Sequence, residues 1–230
     1  MLADILTIFP EMLKGAFAES ILGRAQDKGL LTVRFHDIRA HTLNKHKKVD
    51  DRPFGGGPGM VMCCQPVVDA VRAVRALDAA PGRLIFMSPG GRTFSQAVAA
   101  ELAHEERLVL VCGRYEGFDQ RIFEILRPEC LSIGDYVLSG GELAAAVVVD
   151  AVTRLLPGAL GDAESAVSES FSLRDAQGGV LLDYPNYTQP AVYEGLAVPE
   201  ILRGGNHALI NKWRLEQAQA LTRAQRPDLG

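Results

Sequence analysis

The feature that most constrains the fold is a repeated pattern in the middle of the chain. Three short apolar segments, Leu84–Met87, Leu108–Val111 and Leu131–Leu138, each lead into a glycine-containing loop. Helix-like stretches follow at Gln96–His104 and in the segment that ends at Leu156, just before a proline. Alternation of buried strand, glycine loop and helix is typical of a parallel sheet with helices on its faces. The sequence therefore predicts an α/β fold.

Two further strands are expected nearer the start of the chain. Ile5–Phe9 and Leu30–Phe35 are apolar runs of strand length, and Pro10 after the first run favours the start of a helix. The segment Gly55–Gly59 contains four glycines and one proline, which is too many for a helix or strand interior. We expect a loop there.

A change in composition after Pro157 predicts a domain boundary. Residues 160–183 are polar and acidic, and Gly178 and Gly179 favour a flexible connector. We therefore predict domains at 1–160 and 181–230, joined by a linker at 161–180. In the second domain a helix is expected from Asn206, its N-cap, to Arg226. Its predicted buried stripe consists of Ile210, Trp213, Leu221 and Ala224.

The three glycine loops predict a ligand site. Ligands of open parallel sheets bind beyond the carboxyl ends of the strands, where these loops would meet. No GxGxxG or GxxxxGK[ST] motif is present, and the Ile133–Gly141 loop carries Asp135 but no cation, which disfavours a polyphosphate. Exposed backbone groups could bind adenine or ribose, and Glu116 with Asp135 would tolerate a cation. S-adenosylmethionine is one ligand that fits; glycines required only for tight turns are the alternative.

Composition excludes several classes of protein. The 230 residues are 47% hydrophobic with a net charge of −4, so neither a disordered chain nor a disulfide scaffold is indicated. The four cysteines, and the histidines at 36, 41 and 46, lack metal-ligand spacing, so no metal site is predicted. The sequence contains neither a signal-peptide pattern nor an apolar run long enough for a membrane span. A cytoplasmic protein without membrane contact is expected.

Positive charge is concentrated in two segments of this acidic chain. Residues 34–52 carry six cations against three carboxylates, and residues 203–226 carry five against one. Such segments can contact phosphates, although each could equally be a solvated surface. Together they favour a polyanionic substrate.

Five segments, distributed in order over nearly the whole chain, resemble one known family. The chain is similar in these segments to the bacterial tRNA (guanine-N1)-methyltransferase (TrmD) family of the SPOUT class. The matching segments are VDDRPFGGGPGM (Val49–Met60), VCGRYEGFDQR (Val111–Arg121), SIGDYVLSGGEL (Ser132–Leu143), NYTQPAVYEG (Asn186–Gly195) and GNHALINKWR (Gly205–Arg214).

The resemblance implies an enzyme that transfers a methyl group from S-adenosylmethionine to N1 of guanine 37 in tRNA, next to the anticodon. It implies a parallel sheet with a C-terminal trefoil knot, then a small helical domain that helps to bind tRNA. It also implies a homodimer whose active sites are shared between subunits, and a candidate Mg²⁺ requirement. The cofactor residues it implies are Ser88, Pro89, Gly113, Glu116, Ile133, Gly134, Asp135, Tyr136, Val137, Leu138, Gly140 and Gly141.

The resemblance also implies two catalytic residues. Guanine N1 carries a proton at neutral pH, so methylation needs a base at N1 and a positive group at O6. Glu169 and Arg154 match these roles, although many relatives have Asp at the position of Glu169. If Glu169 is not the base, the alternatives are Asp162, Glu164 and Asp175.

Two other functions remain open at this level. A related knotted methyltransferase could modify another RNA position or a ribose. An RNA-binding or ribosome-assembly factor could retain the pocket without using the cofactor.

Overall fold

The computed structural model describes residues 1–161 and 169–229. The chain forms two units, Met1–Gly161 and Asp162–Gly230. Its strands, in chain order, are β1 (Leu2–Thr7), β2 (Thr32–Asp37), β3 (Asp50–Asp51), β4 (Val61–Met62), β5 (Arg83–Thr93), β6 (Arg107–Cys112), β7 (Glu129–Ser132), β8 (Val192–Tyr193) and β9 (Leu196–Ala197).

The helices are short except for the last one. They are α1 (Lys14–Ala18), α2 (Ser20–Asp27), α3 (Cys64–Arg75), α4 (Gln96–Leu102), α5 (Gln120–Leu126), α6 (Glu142–Thr153), α7 (Glu200–Arg203) and α8 (His207–Gln225), with 3₁₀ turns at Pro10–Met12, Ile38–His41 and Pro227–Leu229.

A five-stranded parallel sheet forms the centre of the first unit, in the order β2-β1-β6-β5-β7. Because side chains alternate along a strand, the sheet has a core on each face. Ile5 and Leu110 pack in one core with helices α1, α2, α4 and α6. Leu6 and Val111 pack in the other with α3 and α5. The predicted α/β fold, with helices on both faces of a parallel sheet, is confirmed.

The third predicted strand is shorter than the sequence indicates. Strand β7 ends at Ser132, so the prediction of a strand up to Leu138 is wrong. Gly134 has a φ of 147°, and its amide bonds the Ser132 hydroxyl rather than a neighbouring strand. Val137, apolar in sequence, is 88% exposed in the loop that follows.

Helix α8 has the predicted start and a different buried face. Asn206 caps it by accepting a hydrogen bond from the Leu209 amide at 3.3 Å. Ile210 is buried as predicted, but Ala224 is exposed. The buried face instead continues through Ala218 and Thr222. The Thr222 hydroxyl accepts a hydrogen bond from the Leu182 amide, which places the chain at Leu182 against this face, and donates to the Ala218 carbonyl.

The segment predicted as a linker contains local backbone pairing. Phe171 donates to the Leu181 carbonyl at 2.8 Å, and Leu181 donates to the Leu173 carbonyl at 3.0 Å. Across residues 1–161 and 169–229, no helix combines the length and apolar character needed to cross a membrane.

A fully buried carboxylate ties the amino-terminal halves of three strands together. Asp4 on β1 accepts hydrogen bonds from Arg34 on β2 and from Arg107 at the start of β6, and His36 Nε2 lies 2.7 Å from its Oδ1. Arg107 also donates to the carbonyls of Val74 and Ala80. Burial alone would raise the pKa of Asp4, but the bonds to His36, Arg34 and Arg107 outweigh it and hold that pKa well below its usual range.

We predict that Asp4→Asn lowers the free energy of unfolding by about 3–5 kcal/mol, because it leaves Arg107 buried without its counter-charge. The depressed pKa means that the Asp4 carboxylate stabilises the fold above its unfolded pKa of about 3.9, and that this contribution is lost as the pH falls. Urea unfolding from pH 7 to pH 3 should therefore show a steeper acid loss for the wild type than for the variant. Parallel pH profiles would contradict the assignment.

Candidate functional site

A cavity of about 480 Å³ in the first unit is lined by Ser88 and Pro89, midway along β5, and by the loops that follow β6 and β7. This volume lies within the range of sites for small organic ligands. Eleven of the twelve residues predicted to hold a cofactor line it, and Asp135 does not. The lining residues predicted from sequence are Ser88, Pro89, Gly113, Glu116, Ile133, Gly134, Tyr136, Val137, Leu138, Gly140 and Gly141.

Several lining residues were missed in the sequence. Met87 and Leu131 are the last apolar residues of their strands before the loops, and Phe118 and Phe123 come from the segment after the second loop. The position of the two strand residues directly before the predicted loops was a usable signal. The two phenylalanines gave none, because an apolar residue near a helix is more often core.

The first loop leaves the sheet and rejoins it. Met87 and Arg92 both pair with Leu131, so Ser88–Gly91 forms an excursion from β5 over the end of β7. At Gly91 the two backbones are so close that a Cβ would lie 2.5 Å from the Cys130 carbonyl oxygen. Only glycine allows this approach, and it brings Ser88 and Pro89 to the cavity.

The third loop is held against the second by backbone bonds. Arg114 and Gly140 form an antiparallel bridge, and the Gly141 amide donates to the Gly113 carbonyl at 2.9 Å. A Cβ on Gly140 would lie 2.5 Å from Arg114 Cδ. Helix α6 begins directly after this contact, at Glu142.

The charge that faces the cavity is small. Arg114 and Glu116 are the lining residues with charged side chains. The Arg114 guanidinium is bonded to buried Glu142. Glu116 lies against the Gly55–Gly59 loop, since a Cβ on Gly59 would be 2.5 Å from Glu116 Cγ. The Glu116 amide also donates a hydrogen bond to the Met60 carbonyl. A neutral or cationic ligand fits this lining better than a polyphosphate does.

The cysteines do not supply a nucleophile. Burial raises the pKa of every cysteine thiol, and the Glu142 carboxylate raises that of Cys112 further. A thiol with a raised pKa is protonated at neutral pH and reacts poorly. The four residues are Cys63, Cys64, Cys112 and Cys130.

The two predicted catalytic residues belong to different units. Arg154 follows the last residue of α6 in the first unit, and its amide donates to the Asp150 carbonyl; it does not line the cavity. Glu169 belongs to the second unit, where its carbonyl accepts hydrogen bonds from the amides of Ser172 and Leu173.

Of the alternative bases, one can be described. Asp175 accepts hydrogen bonds from the amides of Gln177 and Gly179, which is a turn-stabilising arrangement. Asp162 and Glu164 lie outside the described residues. In the part of the chain that is described, no group of three or more His, Cys, Asp or Glu side chains is arranged to hold a metal ion.

A parallel sheet whose carboxyl edge carries a glycine-lined cavity defines the class of open α/β proteins, in which ligands typically bind at this edge. Residues 1–230 match the sequence profile of the family described as tRNA (Guanine-1)-methyltransferase TrmD, and the chain belongs to this family. The resemblance noted in the motifs is thereby confirmed.

Curated relatives are similar over almost the whole length of this chain. The tRNA (guanine-N(1)-)-methyltransferase of Chloroflexus aggregans is 53% identical over 226 residues, covering 98% of this chain and 86% of the relative. That of Heliobacterium modesticaldum is 52% identical over 233 residues, with 100% and 84% covered. The protein of the same name from Shouchella clausii is 50% identical over 229 residues, with 100% and 91% covered.

We predict that Gly91→Ala lowers the free energy of unfolding by about 1–3 kcal/mol, because the new methyl group overlaps the β7 backbone. Gly90→Ala is the matched control: a Cβ at that position meets nothing within 4 Å. Urea unfolding of both variants measures the difference. Equal stabilities would contradict the close strand contact.

Proposed function

We propose that this chain transfers a methyl group from S-adenosylmethionine to N1 of guanine 37 in tRNA, the nucleotide next to the anticodon. Membership of the family and relatives named tRNA (guanine-N(1)-)-methyltransferase support this reaction. The observation that carries the cofactor assignment is the convergence of three glycine loops on one cavity. A tRNA substrate also supports a cytoplasmic location.

The cavity residues suit the proposed cofactor. The segments around Gly113, Gly134 and Gly140 bring the backbone to the cavity surface, where it could contact an adenine edge and ribose, and Met87 with Leu131 supplies apolar surface. The Glu116 carboxylate would favour a positively charged ligand. When bound, S-adenosylmethionine supplies an electrophilic methyl group on a sulfonium. The protein then needs to orient guanine N1 towards it and to exclude water.

Glu169 and Arg154 would perform the proton chemistry. Glu169 would remove the N1 proton as a general base, and Arg154 would stabilise the negative charge that develops on O6. Compared with aspartate, glutamate has one more methylene, so the backbone at position 169 can lie farther from N1 and still reach it.

The length of α6 supports a site shared between two chains. Gly141 lines the cavity at the start of this helix, and Arg154 follows its end. The thirteen residue steps between them, at about 1.5 Å each, correspond to about 20 Å. An arginine that far away is poorly placed for the cavity of its own chain, so we propose that a second copy provides it in a homodimer.

Exposed apolar surface beside the cavity also favours a dimer. Leu143 and Val147, one turn apart on α6, are 50% and 47% exposed. Tyr136 and Val137 add exposed apolar surface in the third loop. We propose that a second copy covers this surface, since clustered exposed apolar residues mark interaction sites.

The second unit offers surface suited to RNA. The Arg214 guanidinium lies 4.7 Å from the Tyr184 ring centre, and half-exposed Tyr187 lies 6.4 Å from Trp213. Arginine and aromatic side chains together bind nucleic acid through phosphates and stacking. We propose that α8 and the segment before it contact the tRNA.

Of two further expectations from the family, the knot becomes a proposal and the Mg²⁺ requirement does not. The excursion of β5 over β7, and the third loop across the end of β6, support a chain threaded as a trefoil knot. The described residues do not fit a resident Mg²⁺ because no carboxylate cluster is arranged for it. The mechanism therefore uses no step through this ion.

We predict that Glu169→Gln retains S-adenosylmethionine binding but lowers methyl transfer by about 10²–10⁴-fold, because the amide cannot accept the N1 proton. Calorimetry and single-turnover assays measure the two quantities. Asp175→Asn is the comparison, and it should lose no more than a few-fold. Near-normal turnover of Glu169→Gln would move the base to another carboxylate.

The substrate assignment is tested with radiolabelled S-adenosylmethionine and unmodified tRNA transcripts. Label should enter a transcript with guanine 37 and not one with adenine 37, and mass mapping should locate it at N1 of that base. Label at another position or on ribose would indicate a related methyltransferase. RNA binding without cofactor binding would indicate an RNA-binding factor.

A further inference from the structure

Glu142 is a buried carboxylate that the proposed reaction does not use. It is the first residue of α6 and is fully buried, and it is not among the residues that line the cavity. Its Oε1 accepts a hydrogen bond from the Thr7 hydroxyl at 2.7 Å, and both carboxylate oxygens lie near Arg114 Nε, at 3.1 and 3.0 Å.

The bond from Arg114 to Glu142 connects parts of the cavity wall that are far apart in sequence. Arg114 belongs to the second loop and donates from Nη1 to the Ser139 carbonyl in the third. Its guanidinium also lies 4.7 Å from the ring centre of Phe9, just after β1. One carboxylate thus orients a guanidinium that contacts both loops.

The fit between these groups is tight. Gly140 passes so close that a Cβ there would lie 2.5 Å from both Arg114 Cδ and Glu142 Oε2. The third loop therefore lies directly against the ion pair. If the guanidinium moved, the backbone of Ser139–Gly141 would lose its contacts with Arg114.

We infer that Glu142 is a positioning residue for the ligand cavity. By holding Arg114 in place, it fixes the third loop against the second and so sets the shape of the cavity. This inference rests on the proposed function, because it concerns the same cofactor site. It assigns a role in binding to a residue that touches neither cofactor nor reacting atoms.

A second interpretation of Arg114 predicts the opposite result. Arg114 also lines the cavity, so its cation could bind the carboxylate of S-adenosylmethionine directly. In that case Glu142 competes for the guanidinium, and its removal would leave the affinity unchanged or raise it. Adenosine, which lacks the carboxylate, would not respond. Positioning predicts that both molecules bind more weakly.

The experiment compares the wild type with Glu142→Gln, Thr7→Val and Asp4→Asn, each first tested for folding by circular dichroism. Calorimetry gives dissociation constants for S-adenosylmethionine and adenosine, and kinetics give kcat and both KM values. Asp4→Asn is the matched control, because Asp4 is an equally buried, arginine-bonded carboxylate at the other end of β1. Thr7→Val removes one bond to Glu142, and it decides the outcome if Glu142→Gln does not fold.

We expect Glu142→Gln to weaken both ligands by about 10–100-fold, the range for losing a hydrogen bond between charged groups. KM for S-adenosylmethionine should rise while kcat at saturation stays within about twofold. Thr7→Val should act in the same direction with a smaller effect, and Asp4→Asn should leave both affinities unchanged.

Three results would overturn the inference while the proposed function stands. These are wild-type affinities in folded Glu142→Gln, a change for S-adenosylmethionine without one for adenosine, and an equal loss in Asp4→Asn. Wild-type affinities in Thr7→Val would do the same if Glu142→Gln does not fold. If the wild-type protein itself binds neither ligand and methylates no tRNA, the proposed function fails and the inference fails with it.

Discussion

Close backbone contact at the carboxyl edge of the sheet is the constraint on which the candidate site depends. Gly91 lies against the β7 backbone, and Gly140 lies against the Arg114 side chain. A side chain at either position would separate the strands or loops that meet there. Because these contacts exist, three loops from different parts of the chain converge on one cavity, and α6 starts directly at its wall.

Two buried carboxylates form hydrogen bonds near the two ends of β1. Asp4, bonded to Arg34 and Arg107, joins three strands in their amino-terminal halves. Glu142, bonded to Thr7 at the carboxyl end of β1, joins the loops of the cavity. A buried ion pair gives little net stability compared with apolar packing. We propose that the pair of Glu142 and Arg114 instead fixes the position of the loops around the candidate ligand site.

Elements that depend on interactions between neighbouring residues in the sequence were easier to predict than features that depend on contacts between distant residues. Strand periodicity and glycine loops are local signals, so the strands at Leu84 and Leu108 and the cap at Asn206 were predicted correctly. The extension to Leu138 was wrong because apolar character does not distinguish a strand from an exposed loop. Glu142 gave no signal in the sequence, because an acid in the first turn of a helix is common where the helix dipole favours it.

The sequence by itself determined the class of fold and the family, because apolar runs, glycine loops and motifs are properties of neighbouring residues. It also indicated which loops would carry the site. Only the tertiary structure decided that Arg114 turns towards Glu142, that Asp135 does not line the cavity, and that Arg154 lies a helix length from Gly141. Those facts depend on contacts between residues far apart in the chain, and no local pattern encodes which distant partner a side chain meets.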